Sequence, residues 1–371
     1  MKQKLNIALF SPNKNPYSET FIQAHKNYLK GNVFYYYGRN EDIELENHPP
    51  LAKKIYIYAL KVFKKVFKKE SSYLRVHLLT KSLKKHKIDV VLVEYGIHAH
   101  HILPAIKKAN LPLVVHFHGY DATIREIIKK HNNYKEVFQY ASKVIAVSTV
   151  MENQLLSIGC PREKLVYNAN AAQSDFLNIQ PSFKSNQFIS VGRFTNKKAP
   201  YYAILAFKEA LIKHPNAKLL MCGDGVLLEI CKNLVKYYHL ENQIEFLGVI
   251  SSDQLRGLLE NSIGYIQHSI TADNGDMEGM PISVLEASAS GIPVVSTFHA
   301  GISDMIEDGV TGLLCKEHDV SGMGQNIIKL LDDIELAKKM GQEGKERIKS
   351  HFSFEKHIDG IQQLLEESIN Q

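Results

Sequence analysis

Two glutamates near the C-terminal end of the chain are the first residues whose types and spacing could do chemistry together. Glu278 and Glu286 stand eight positions apart, and Pro281 follows shortly after the first. Pro281 suits the first turn of a helix, because its missing N–H group would have no helical acceptor there. Gly291, followed by Pro293, ends that helix. Glu278 is therefore expected in the loop before the helix, and Glu286 about a turn and a half inside it.

Eight helical positions span at most roughly 12 Å, which is the length of a ligand rather than of a bond. The helix N-terminus between the two carboxylates offers free N–H groups that favour a phosphate. The pair therefore predicts a site for a long anionic ligand with hydroxyl groups at both ends, and a nucleotide sugar has that shape. The alternative is that both glutamates are solvated charges near a helix start, where carboxylates are favoured anyway.

Two cations follow a predicted strand about ninety residues earlier. The segment FISVGRFTNKK runs from that strand into Gly192 and Arg193, and Lys198 comes five positions after the arginine. Two cations at a strand end suit a diphosphate leaving group, because negative charge develops there as the bond to it breaks. The alternative is a solvated pair of surface charges.

A histidine stands at the end of a third predicted strand. LVVHFHGYDA is an apolar run that leads into His118, at the carboxyl end of a strand, where ligands bind in open α/β sheets. His116 lies two positions back on the same face, and Asp121 is expected to cap the following helix. The H-x-H-H run at 98–101 lacks carboxylate partners, so we expect no metal site there.

The stretch from residue 278 to residue 314 resembles the signature of the retaining family 4 glycosyltransferases, E-G-x-P-x-x-x-x-E followed by A-S/C-G-x-P-V-V. The matching residues are Glu278, Gly279, Pro281, Glu286, Ala289, Ser290, Gly291, Pro293, Val294 and Val295. The resemblance implies an α/β fold of two facing Rossmann-like domains with parallel sheets (GT-B), with the acceptor site on the first domain and the donor site on the second. It also implies retaining transfer of a hexose-like sugar from a nucleoside-diphosphate sugar, a substrate, to an acceptor hydroxyl.

The same resemblance implies roles for individual residues. His118 and Glu278 are the catalytic candidates, His118 close to the donor sugar and Glu278 on its hydroxyls. Arg193 and Lys198 match the pair that holds the donor diphosphate, and Ala199 replaces the usual glycine after it. The other donor-binding candidates are Gly223, Gly279, Met280, Pro281, Ile282, Ser283 and Glu286, the last on the ribose hydroxyls.

The signature region and the segment just before it lead to expectations about a cofactor, a metal ion and the acceptor. The signature region contains no D-x-D, and Arg193 and Lys198 already supply positive charge, so we expect neither a metal ion nor a cofactor. The tract TADNGDMEG, residues 271–279, resembles transferases that build bacterial exopolysaccharide or other surface glycans, which suggests a pathway and not a product. The family resemblance implies a glycan or lipid-linked acceptor, and we expect no nucleic-acid partner.

Two other functions are alternatives. A dinucleotide-dependent oxidoreductase is disfavoured, because no strand is followed by G-x-G-x-x-G with an acidic residue about twenty positions on. A non-catalytic member of the same fold that binds nucleotide sugars or glycans stays open, although Arg193, Lys198, His118 and Glu278 are all present.

The elements that must position these residues fit two domains. The 371 residues suffice for two domains of ordinary size. We predict an N-terminal acceptor domain over residues 1–178, a donor domain over 186–350, and a C-terminal helix over 351–371 that crosses back to the first. Ser18 is expected to cap the first helix.

Composition and charge indicate where the protein works. No apolar run reaches the length of a membrane span, and the four cysteines lack metal-ligand spacing, so we expect a cytoplasmic protein with free thiols. The formal net charge is +6, and seven lysines fall between Lys53 and Lys69. Residues 51–69 are predicted to form an amphipathic helix with Ile55, Ala59, Val62, Phe63, Val66 and Phe67 on one face. Such a helix either docks peripherally on an anionic membrane or packs its apolar face on the sheet.

Overall fold

The computed structural model describes residues 4–14, 19–39 and 42–370 and divides the chain into two compact units. The first unit holds the chain up to Val147, Met151–Asn168, and the chain from His357 onward; the second holds Ser148–Val150 and Ala169–Lys356. The predicted cap at Ser18 lies outside the described residues.

The first unit is built on a sheet of mainly parallel strands. Its described strands and helices are β1 (Asn6–Ser11), α1 (Thr20–Tyr28), β2 (Asn32–Tyr37), β3 (Glu44–Leu45), α2 (Lys54–Val66), α3 (Tyr73–Lys85), β4 (Val90–Glu94), α4 (Gly96–Ala109), β5 (Leu113–Phe117), α5 (Tyr120–Thr123), α6 (Arg125–Lys130), α7 (Lys135–Tyr140), β6 (Lys143–Ala146), α8 (Thr149–Ser157) and β7 (Leu165–Tyr167).

The strand order in this sheet is β3-β2-β1-β4-β5-β6-β7. Only β3 runs antiparallel among the described pairings, against β2. Every residue of β4 and β5 is buried, which explains their continuous apolar sequences, because helices cover both faces of a parallel sheet. The carboxyl ends of β4 and β5 are neighbours, so Glu94 pairs in register with His116.

The second unit repeats the alternation of strand and helix. Its described elements are β8 (Gln187–Val191), α9 (Pro200–Leu211), β9 (Lys218–Cys222), α10 (Leu228–Tyr237), β10 (Ile244–Gly248), α11 (Ser252–Glu260), β11 (Gly264–Gln267), α12 (Ile282–Ala289), β12 (Val294–Thr297), α13 (Ile302–Met305), β13 (Gly312–Cys315), α14 (Val320–Asp332), α15 (Ile334–His351) and the start of α16 (Phe354–Ile369).

Six parallel strands form the second sheet in the order β10-β9-β8-β11-β12-β13. Apolar residues of α9, α10 and α14 fill the core against it. Because the strands are parallel, the segments after β8, β9, β11 and β12 all leave the same edge of the sheet. The expected α/β fold with two parallel sheets is confirmed.

The helix expected after the first signature glutamate is α12. It begins directly after Pro281 and ends before Gly291, whose φ of +86° is a conformation that glycine adopts without strain. The strand β12 follows, as predicted. Pro281 itself has extended backbone and precedes the first helical residue, a shift of one position.

The lysine-rich helix α2 differs from one of the two predicted arrangements. It does not pack its apolar face on the sheet: Ile55 is 85% exposed, Tyr58 71% and Val66 67%. Only Leu60 of this helix is buried, in a small cluster with Leu74 and Leu78 of α3. The periodicity predicted the helix correctly, but the apolar face that it defines stays largely in contact with solvent.

The last helix, α16, has its residues from His357 onward in the first unit, where the His357 carbonyl accepts a hydrogen bond from Asn168. The four cysteines are free and buried, as expected. Within the described ranges, every helix is too short or too polar to cross a lipid bilayer.

Candidate functional site

The two signature glutamates are both buried. Glu278 lies in the loop before α12 and Glu286 is the fifth residue of that helix, and each residue is only 8% exposed. The alternative that they are solvated surface charges is therefore wrong. The backbone N–H groups of Ile282 and Ser283, at the start of α12, have no hydrogen-bond acceptor among the described residues, so the helix N-terminus between the glutamates can accept an anion.

Glu278 is a buried carboxylate that stays charged. Burial raises the pKa of Glu278, but the cations Lys198, Lys197 and Arg193 outweigh burial and hold that pKa at about 2. The Lys198 ammonium lies 3.4 Å from Glu278 Oε1. That oxygen is buried and has no hydrogen-bond partner among the described residues. Apart from that ammonium, Glu278 Oε1 therefore lacks a hydrogen-bond donor.

Glu286 has the opposite electrostatics. Burial raises the pKa of Glu286 to about 8. No described residue gives its carboxyl group a hydrogen bond or an ion pair that would offset the loss of hydration. At neutral pH the group is mainly protonated, so it can both donate and accept a hydrogen bond, as a pair of ligand hydroxyls would require.

Arg193 and Lys198, the cationic pair, lie near the two ends of the loop after β8. Gly192 and Arg193 leave the end of that strand, and the Lys198 side chain folds back over Gly192, where a Cβ would lie 2.8 Å from Lys198 Cδ. Arg193, Lys198 and Gln267 line one cavity, and Arg193 is exposed to solvent. Burial lowers the pKa of Lys198, and Glu278 opposes that shift. The structure therefore brings Arg193, Lys198 and Glu278 together at one sheet edge.

The backbone at the same edge of the sheet requires a glycine at position 223. Gly223 follows β9 with a φ of +130°, and a Cβ there would lie 2.0 Å from the carbonyl oxygen of Gly192. Only glycine allows the two loops this approach. Gly223 therefore fixes the position of the loop that carries Arg193.

Three further residues of this site were not predicted from the sequence. The Lys197 ammonium donates to Asp276 Oδ1 (3.0 Å) and to the carbonyl of Met277 (3.1 Å), which ties it to the loop that carries Glu278. Gln267 Oε1 accepts a hydrogen bond from Lys198 (3.4 Å), and the Tyr265 hydroxyl lies 2.8 Å from Ser283 Oγ. The doubled lysine was a signal for Lys197, whereas nothing local distinguishes Gln267 or Tyr265.

His118 belongs to the first unit. His118 Nε2 lies 2.7 Å from Glu94 Oε2, and His25 Nδ1 lies 2.6 Å from the other oxygen of that carboxylate. His116, the expected neighbour, has its ring centroid 4.1 Å from that of His118. Burial raises the pKa of Glu94, but the histidines outweigh burial and hold it well below its usual range.

The donor types of His25, Glu94 and His116 would suit a transition metal, and their ligand atoms lie within 4.8 Å of one another. Tetrahedral zinc with bonds of about 2.1 Å would hold its ligand atoms about 3.4 Å apart. The 2.6 Å between His25 and Glu94 is instead a hydrogen-bond distance. The geometry favours a hydrogen-bonded histidine–carboxylate cluster.

Asp121 does not cap a helix as predicted. Its buried carboxylate accepts hydrogen bonds from the backbone N–H groups of Gly96 (2.9 Å), His118 (3.1 Å) and Gly119 (3.1 Å). It therefore joins the start of α4 to the loop that carries His118. The prediction was wrong because α5 begins at Tyr120, which places Asp121 inside the first turn of that helix and not before it.

Two protein-family models match this chain, one in each half. The model of "Glycosyltransferase Family 4" matches residues 33–172, and the model of "Glycosyl transferases group 1" matches residues 175–347. WcaL of Escherichia coli strain K12, named for colanic acid biosynthesis, is 29% identical over 64% of this chain and 60% of its own length. The amylovoran biosynthesis glycosyltransferase AmsK of Erwinia amylovora is 28% identical over 65% of this chain and 61% of its own.

Among solved structures, Anabaena HepE in complex with UDP and glucose superposes with a TM-score of 0.75 at 17% identity, over 98% of this chain and 100% of HepE. At that identity the likeness concerns the fold. The alignments span about 60% of the length of the two curated relatives named above.

The raised pKa of Glu286 predicts a pH-dependent cost to stability. Below the ordinary value of 4.5 the carboxyl group is protonated in both folded and unfolded chains. Between pH 4.5 and about 8 the Glu286 carboxyl group ionises only in the unfolded chain. The free energy of unfolding therefore falls by up to about 1.4 kcal/mol for each pH unit in this range. Glu286→Gln stays neutral and should remove this loss.

Unfolding of the ligand-free protein in urea at pH 5, 7 and 8.5 measures the effect. We expect Glu286→Gln to match the parent closely at pH 5 and to be more stable by a growing margin above it. Exposed Glu241→Gln is the control and should follow the parent. A difference between Glu286→Gln and the parent that does not change with pH would contradict the assignment.

Proposed function

We propose that this chain, which belongs to the glycosyltransferase families that its two matching models describe, is a retaining, metal-independent glycosyltransferase. It moves a sugar from a nucleoside-diphosphate sugar to an acceptor hydroxyl. The observation that carries the proposal is the charged, buried Glu278, whose Oε1 lacks a hydrogen-bond donor beside Lys198. Sugar hydroxyl groups are donors of the kind that this oxygen lacks.

The ligand is divided along the site in this proposal. Arg193, Lys198 and the N–H groups at the start of α12 hold the diphosphate. Glu278 holds sugar hydroxyls, and the mainly protonated Glu286 binds the ribose hydroxyls. The other donor-binding candidates are Gly223 and residues 279–283. In this proposal they hold the backbone around the donor in place and leave space for the donor. HepE, which shares the fold, has a structure in complex with UDP and glucose. UDP is therefore the first nucleotide to test.

The chemistry follows from the charges. Glu286 is a poor nucleophile when it is protonated, and Glu278 is paired with Lys198. We therefore favour departure and attack on one face of the sugar. The bond from the anomeric carbon to the diphosphate oxygen breaks, the acceptor oxygen bonds to that carbon, and a diphosphate oxygen takes the acceptor proton. Arg193 and Lys198 stabilise the charge that develops on the leaving group.

The acceptor in this proposal is a bacterial polysaccharide or surface glycan, or a lipid-linked precursor of one. The names of two relatives support it, because WcaL and AmsK are named for the biosynthesis of colanic acid and amylovoran. His118 remains a catalytic candidate through its match to the family motif, and Glu94 holds its ring.

We also propose that α2 docks the enzyme on the cytoplasmic face of an anionic membrane. The exposed residues Ile55, Val62 and Val66 recur at helical spacing and form one apolar face, with Tyr58 beside it. Exposed lysines at positions 54, 61 and 65 recur with the same period along its border. An apolar face bordered by cations is suited to the headgroup region of an anionic bilayer.

The division of the ligand predicts that two substitutions differ in their effect on nucleotide affinity. Arg193→Ala should weaken binding of UDP, GDP or ADP, whichever binds the parent most tightly, and slow transfer, because charge-assisted bonds to phosphate are lost. Glu278→Gln should leave that nucleotide's Kd nearly unchanged and lower kcat by 10²–10³, the scale of one preorganised group.

Calorimetry with the nucleotide and release of nucleotide in the presence of acceptor measure the two quantities. Equal effects of Arg193→Ala and Glu278→Gln on nucleotide affinity would contradict the division. Nucleotide binding without any acceptor-dependent release by the parent would point instead to a non-catalytic binding protein.

Metal independence gives a separate prediction. Sugar transfer should keep its rate in excess chelator, since Arg193, Lys197 and Lys198 supply the positive charge near the diphosphate. The assay compares initial rates with chelator alone and after addition of magnesium or manganese. A rate that disappears in chelator and returns with either ion would overturn the prediction.

Membrane docking predicts binding to liposomes that requires anionic lipid. Replacing Lys54, Lys61 and Lys65 by glutamine should weaken it, at about 1 kcal/mol for each lysine near the surface, and added salt should do the same. Sedimentation with phosphatidylglycerol and phosphatidylcholine vesicles measures the binding. The matched control replaces the exposed lysines 236, 339 and 349 of the second unit. Equal binding to neutral vesicles, or equal loss in the control, would argue against α2 as the docking helix.

A further inference from the structure

His299 lies in the loop that follows β12 and is only 2% exposed. Its Nε2 lies 3.1 Å from the backbone nitrogen of Glu278. Because a backbone N–H can only donate, Nε2 must be the acceptor and carries no proton. The other ring nitrogen, Nδ1, lies 2.6 Å from Glu317 Oε1 and donates to that carboxylate. The contacts therefore determine the tautomer of His299.

Glu317 follows β13 and holds both ends of the loop that carries Glu278. Its Oε2 accepts a hydrogen bond from the backbone N–H of Thr271 (2.9 Å), near the start of that loop, and its Oε1 reaches the end of the loop through His299. Burial raises the pKa of Glu317, but the hydrogen bonds from His299 and Thr271 outweigh burial and lower it, so the carboxylate is charged.

The loop after β12 contacts the turn at Glu278 and Gly279 a second time. The N–H group of Gly301 donates to the Gly279 carbonyl (3.1 Å), and a Cβ on Gly301 would lie 2.2 Å from that oxygen. The N–H of Glu278 and the carbonyl of Gly279 are thus both held by residues 299–301. The backbone that aims the Glu278 carboxylate has little freedom to rotate.

We propose that His299, held in its Nδ1–H tautomer by Glu317, is the positioning residue that aims Glu278 at the donor sugar. This inference rests on the proposed function of Glu278. His299 touches the backbone of the residue that contacts the sugar and not the diphosphate-binding cations. Its loss should therefore affect transfer and leave the nucleotide bound as before.

Three variants test the proposal. His299→Ala removes the acceptor and leaves the Glu278 N–H without a partner; we expect kcat to fall 10- to 100-fold while the Kd of UDP, or of GDP or ADP if the parent prefers it, stays within about twofold. His299→Gln can accept from Glu278 and donate to Glu317, and should recover most of the lost rate. Glu317→Gln should lower kcat in the same direction and keep the fold if the histidine variants do not.

His214→Ala, on a partly exposed histidine of the same unit that pairs with Asp332, is the matched control and should leave kcat unchanged. A His299→Ala enzyme within threefold of the parent kcat would overturn the proposal. So would equal losses of kcat and nucleotide affinity, or a glutamine variant as slow as the alanine variant, because either result describes a merely structural residue.

The tautomer is measured without activity. Long-range ¹H–¹⁵N spectra of the ligand-free protein labelled at histidine should show the Nδ1–H pattern for the signal that disappears in His299→Gln. An Nε2–H pattern would overturn the proposal on geometry alone. If the parent transfers no sugar, the proposed function fails, and this spectrum still decides whether His299 holds Glu278 as described.

Discussion

The ion pair of Lys198 and Glu278 is the interaction on which the rest of the second unit's site depends. A carboxylate as buried as Glu278 would ordinarily take up a proton, because burial disfavours its charged form. The cations from the loop after β8 reverse that preference. The parallel sheet makes the pair possible, because it delivers the loops after β8 and β11 to one edge. Gly192 leaves room for the Lys198 side chain, and Gly223 allows the loop after β9 to approach the loop after β8.

Glu286 shows what happens without a cation. It belongs to the same signature and is equally buried, yet its pKa is about 8, whereas that of Glu278 is about 2. Two carboxyl groups of one motif therefore differ in charge at neutral pH for an electrostatic reason alone. That difference suits a ligand with different needs at its two ends, and it costs stability at the end without a partner.

The first unit uses the same principle with histidines in place of lysines. Glu94, at the end of β4, accepts hydrogen bonds from His25 and His118, which keeps its charge in the interior and fixes two imidazole rings. The exposed face of α2 is the opposite case, since apolar side chains there remain in solvent and not against the sheet. Each feature departs from the ordinary distribution of polar and apolar residues.

The sequence by itself determined the alternation of strands and helices, because apolar runs and helical periodicity are local properties. It also determined α12 and the positions of Glu278 and Glu286 around its start, since Pro281 and Gly291 act on their own neighbours. Only the tertiary structure decided that Lys198 meets Glu278, that His299 holds its backbone, and that Asp121 binds Gly96. It likewise decided that α2 leaves its apolar face exposed. Each of these depends on which strand ends or helices become neighbours, and periodicity along the chain does not encode that.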